Sequence, residues 1–123
     1  MKKMLNGEIY NYALELNKEF SDCNIMLPVK INFFLQKNIH LIVNLAEERE
    51  EAKNSIIKAY GEKNADTGSY IVKTENIQIA KKELDDLTSI EQEVNIHMFK
   101  LDDFDKISLT YNQMNAIMFM IEE

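Results

Sequence analysis

The stretch from Pro28 to Tyr60 constrains this chain more than any other feature. Ile31, Leu35, Asn38, Ile42, Leu45, Arg49, Ala52 and Ile56 recur in alternating steps of four and three. That is a heptad seam, and it predicts one helix from Pro28 to Tyr60. Phe34, Leu41 and Ile57 widen the seam into a broader apolar face. Pro28 suits an early helical position, and Gly61 suits the stop. A helix of this length makes a rod of roughly 50 Å, longer than a compact domain of this size needs. Two outcomes follow: the helix breaks near Asn38-Ile39-His40, or its far end protrudes and pairs with a second copy. Glu47, Glu48, Glu50 and Glu51, with Lys53 and Lys58, read as its solvated face.

The remaining segments are shorter. Asn6 is positioned to cap a first helix to about Phe20, with Ile9, Ala13, Leu16 and Phe20 on one face. Ser21-Asp22-Cys23-Asn24 ends it. Glu62 to Ser69 reads as a polar turn around Gly68, and Tyr70-Ile71-Val72-Lys73 as a strand. Thr74 is placed to cap a third helix to about Leu87. Glu93 to Leu101 reads as a second strand, with 107–109 as a third candidate. Thr110-x-x-Gln113 is a capping box opening a last helix from Tyr111 to about Ile121. Its expected buried stripe is Met114, Ile117, Met118 and Ile121. The expectation is a single α+β domain over 1–123. Helices including one long helix (about 28–60) pack with a small antiparallel sheet (about 70–73, 93–101 and the 107–109 candidate).

Charge divides the chain. Residues 1–61 hold eight basic and eight acidic side chains, whereas residues 62–123 hold six and thirteen. The second half therefore carries the whole net charge of −7. Arg49 is the only arginine. An acidic half without a basic stripe argues against direct binding of nucleic acid, because phosphates repel it. It favours a basic groove on another protein, and speeds that encounter. Asp85, Asp86, Glu91, Glu93, Asp102, Asp103 and Asp105 are the candidate protein-binding residues. Solubilising charge is the competing account of the same side chains.

Candidate chemistry is sparse, and the chain is not expected to be an enzyme. His40, His97 and Cys23 are far apart in sequence, so no metal-ligand spacing emerges. The Asp102-Asp103-x-Asp105 cluster lacks the glycine and the final glutamate of a calcium loop. The three glycines make no phosphate-cradling pattern, and no cofactor is expected. A lone cysteine forms no internal disulfide, which fits a reducing cytoplasm. Asn6, Gly7 and Glu8 interrupt any signal-like start, and no apolar run approaches the roughly 18 residues of a membrane span.

Several segments carry a resemblance: Leu27-Pro28-Val29-Lys30, Gln36-Lys37-Asn38, Ala59-Tyr60-Gly61-Glu62, Thr67-Gly68-Ser69-Tyr70, Glu83-Leu84-Asp85-Asp86-Leu87, Val94-Asn95-Ile96-His97 and Phe119-Met120-Ile121-Glu122-Glu123. Over most of 5–123 the layout resembles a loosely defined family of small phage and prophage proteins of unknown function from Gram-positive bacteria. The resemblance implies a phage product acting in the bacterial host cytoplasm, and it transfers no functional residue. Two functions follow as expectations. One is a non-catalytic module that binds and inhibits a host nucleic-acid-handling defence protein through the acidic residues. The other is a virion or tail-assembly component, a homo-oligomer joined through Asn38, Ile42, Leu45, Arg49, Ala52 and Ile56.

Overall fold

In a computed structural model the chain is described over residues 2–21 and 26–122. The element order is β1 (Lys2–Leu5), α1 (Asn6–Phe20), α2 (Val29–Tyr60), β2 (Gly61–Lys63), β3 (Tyr70–Val72), α3 (Ile77–Thr88), β4 (Glu91–Val94), β5 (Phe99–Lys100), α4 (Tyr111–Ile117) and β6 (Ile121–Glu122). The fold is α+β and mostly helical. Its strands form three two-stranded sheets, two antiparallel and one parallel, among the described residues.

The long helix is real and unbroken. α2 runs 32 residues through Asn38 without interruption, a rod of about 48 Å at 1.5 Å per residue. Two different neighbourhoods flank it. Its first half packs with α1, α4 and the strands into the main core. Leu16, Ile42, Ile117 and Met120 are fully buried there. Each such side chain contributes about 2 kcal/mol of burial. The Tyr12 and Phe119 rings stack across this core with centroids 4.0 Å apart. The second half of α2 packs against α3, which runs back alongside it, and against the β2–β3 hairpin. Ala80 is the one buried apolar residue of α3.

Several expectations are corrected by what the side chains find. Asn6 does not cap α1. Its amide donates to the Leu87 carbonyl at 2.8 Å and its oxygen accepts from Gln92 at 2.6 Å. Glu8 closes the helix start instead, accepting the Leu5 N–H. Thr74 opens a 3₁₀ turn over Thr74–Asn76, and α3 begins after it. The expected strand over 93–101 is cut in two. The Ile96 N–H bonds back to the Val94 carbonyl at 3.0 Å, a turn that breaks the ladder. β4 then pairs with β1, and β5 pairs in parallel with β6. Residues 107–109 form no strand. The capping box is present: Gln113 N–H to Thr110 Oγ1 is 3.1 Å, and Thr110 N–H to Gln113 Oε1 is 2.9 Å. The last helix nevertheless ends at Ile117, passing into a 3₁₀ turn and then β6. That change of pitch turns Met118 outward, 49% exposed, and buries Phe119 and Met120 instead.

Besides β6, two strands had no counterpart in the expectation. β2 begins at Gly61 and runs into the stretch read as a polar turn. β1 aligns Lys3 opposite Glu93 and Leu5 opposite Glu91, so basic and acidic strands complement each other.

Candidate interaction surface

The seven acidic candidates are all exposed. Asp85 and Asp86 ride the end of α3, and Glu91 and Glu93 project from β4 two residues beyond it. Gln92 and Val94 take the inward positions of the same strand. Asp102, Asp103 and Asp105 surround the 3₁₀ turn Leu101–Phe104 that follows β5. The fold thus gathers four carboxylates into one stretch and sets three on a separate turn. Two of the seven are partly engaged. Glu91 lies 4.0 Å from the Lys3 amine, and Asp103 accepts the Lys100 backbone N–H at 2.9 Å. The exposed Lys3–Glu91 pair is worth little, because water already solvates both charges.

The helix seam is spent inside the protein. Asn38 is 2% exposed and Ile42 is fully buried, so neither offers a surface to a second copy. The Asn38 amide donates to the His97 carbonyl at 2.9 Å, and its oxygen accepts the His97 N–H at 2.9 Å. A second contact from the same amide reaches Met120 Sδ at 3.4 Å. Asn38 therefore holds the turn segment between β4 and β5, supplying the backbone pairing that the missing ladder would have given. Arg49 is also intramolecular. It donates to Glu50 at 3.0 Å and to Thr88 Oγ1 at 3.3 Å, with its guanidinium 4.7 Å from the Tyr10 ring centroid. It joins α1, α2 and α3 at one point, while its Nε is buried without a partner. Leu45, Ala52 and Ile56 are half-buried.

The histidines stay apart. His40 is exposed on α2, and His97 stacks on Phe34 with centroids 3.9 Å apart. Beside that stack a concavity of about 580 Å³ runs between α2 and the 95–98 segment, floored by Asn38 and edged by Lys37 and Leu41. Cys23 lies outside the described residues. Among the described residues no group of three His, Cys, Asp or Glu side chains is placed to hold a metal ion. None of their helices is long and apolar enough to cross a membrane. Two phenols are perturbed. Burial raises the Tyr12 hydroxyl above its ordinary value near 10, with Glu8 and Glu15 adding to it. Its hydrogen bond to Glu83, at 2.7 Å, raises Tyr60.

Exposed apolar side chains near the far end of α2 lie outside both sequence-predicted sets. Tyr70, Ile71, Ile77 and Ile79 are all substantially exposed. A signal for two of them was available: Ile77 and Ile79 are two residues apart, so a helix cannot bury both on one face. With the geometry in hand, comparison with known proteins adds no neighbour: no family model, no curated protein and no solved structure matches this chain.

Proposed function

We propose that this protein is a non-catalytic, phage-encoded binding module that occupies the basic groove of a nucleic-acid-handling host protein and inhibits it. One observation carries the reading. Asp85, Asp86, Glu91 and Glu93 form a single exposed acidic stretch, and among the described residues only Glu91 of the four makes an ion pair, with Lys3 at 4.0 Å. Surface carboxylates without a committed partner steer a basic partner from a distance. The test is a tagged pull-down from host lysate at low and at high salt. Recovery of a nucleic-acid-binding protein, lost at high salt and lost on replacing the four residues by alanine, supports the reading. Capture unaffected by either change refutes it, since exposed charge pairs are screened by salt.

The second reading is self-association in an assembly role. The exposed Tyr70 and Ile71 of the β2–β3 hairpin favour it, because large apolar side chains left in water are available to a partner. Its contact lies away from Asn38 and Ile42, which face the core.

A further inference from the structure

The hairpin that follows the long helix leaves one strand edge open. Lys73 N–H to Tyr60 O (3.1 Å) and Asn64 N–H to Ser69 O (2.7 Å) fix its register, with Ile71 opposite Glu62. Antiparallel ladders alternate bonded and non-bonded pairs. Ile71 therefore bonds toward β2, while Tyr70 and Val72 direct their N–H and C=O groups to the other side. Among the described residues those outward groups meet no backbone or side-chain partner. The edge carries few guards beyond its short length and the flanking Lys73. From Ser69 to Val72 there is no proline and no charge, and Ile71 is 57% exposed.

We propose that β3 is the docking edge for β3 of a second copy of this chain, making a two-fold, four-stranded antiparallel sheet. This deepens the self-association reading and rests on it. The occupant follows from the strand's own sequence. An antiparallel register centred on Ile71 sets Ile71 against its counterpart, Tyr70 against Val72 twice, and Ser69 against Lys73 twice. Aromatic and β-branched residues are favourable cross-strand pairs, and no like charges face each other. Lys73 is already matched by Glu62 within its own copy, at 3.1 Å. One surface thus satisfies itself by rotation, as a two-fold contact requires. The strand is three residues long, so the dimer belongs to the weak class of interfaces.

Val72→Pro tests the edge selectively. It removes an outward N–H and leaves the three hairpin-bonded pairs intact. Sedimentation velocity over a concentration series should show the unaltered chain moving from its 14.4 kDa monomer toward twice that mass. Val72→Pro should raise the dissociation constant about tenfold or more, with unchanged circular dichroism. Hydrogen exchange on the unaltered chain gives an independent reading: protection of the Tyr70 and Val72 amides should rise with the protein's own concentration. A monomer at every concentration overturns this proposal and the self-association reading together. A dimer whose Tyr70 and Val72 amides exchange freely overturns the β3 assignment alone, as does a dimer indifferent to Val72→Pro. If Val72→Pro fails to fold, the exchange measurement decides.

Discussion

At the scale of single residues, the chain depends on a few polar side chains that replace missing backbone pairing. Asn38 is the clearest case, with both ends of its amide committed to the His97 backbone. Asn38→Leu should cost about 2 kcal/mol, since it removes two hydrogen bonds to the part-buried His97 backbone. A lowered urea midpoint with an unchanged slope would check this. Asn38 was read from the sequence as a register-setting residue between copies. A polar residue in an apolar seam does signal a specific partner, but the seam alone cannot say whether that partner is another chain or a loop of the same one. The two perturbed tyrosines give a pH signature. Their folded values lie above the ordinary value near 10. The unfolded chain therefore loses those protons first as pH rises. The associated stability is complete below about pH 10 and is lost as pH rises through the raised values. Tyr12→Phe and Tyr60→Phe should each flatten the fall in urea midpoint between about pH 9 and 11 relative to the unaltered chain.

At the scale of elements, the helices were legible and most of the strands were not. α1 and α2 span many turns, so their apolar periodicity repeats often enough to be unambiguous. β1, β2, β5 and β6 are two to four residues long, and a period of two cannot declare itself over such lengths. The break between β4 and β5 was hidden for a related reason: the alternation from Val94 through Met98 continues across it, although the backbone turns. The acidic candidates were legible as exposed, whereas their division into two groups depends on that same turn. Gly61 shows how tightly the joint between α2 and its hairpin is built. A Cβ there would lie 2.6 Å from the Ile57 carbonyl oxygen and 2.8 Å from the Ile71 oxygen, both backbone atoms. Gly61→Ala should destabilise the protein by about 1–3 kcal/mol, read as a drop in thermal midpoint. Gly68 is constrained differently, by its left-handed φ of 73°.

At the scale of the whole molecule, one long helix serves two unequal neighbourhoods. The main core holds nearly every fully buried side chain, whereas α3 contributes one buried apolar residue and the hairpin none. Local stability follows buried apolar contact. Amides of α3 and β3 should therefore exchange faster than those of α1 and the first half of α2, by native-state hydrogen exchange at fixed protein concentration. Uniform protection across α2 and α3 would contradict this division. Arg49 sits at the boundary between the two neighbourhoods. Arg49→Lys should keep the charge yet widen the difference in exchange, because an ammonium cannot reproduce the fork to Glu50 and Thr88.

The pairing of β1 with β4 has a consequence for synthesis. Lys2 aligns with Val94, and its amine donates to the Phe119 carbonyl at 2.6 Å. β1 thus leaves the ribosome ahead of a partner made about 90 residues later, several seconds at ordinary elongation rates. During that interval Met4 and Ile9, both buried in the finished fold, have no complete core to enter. The nascent chain must carry these apolar residues uncovered until β4 has emerged.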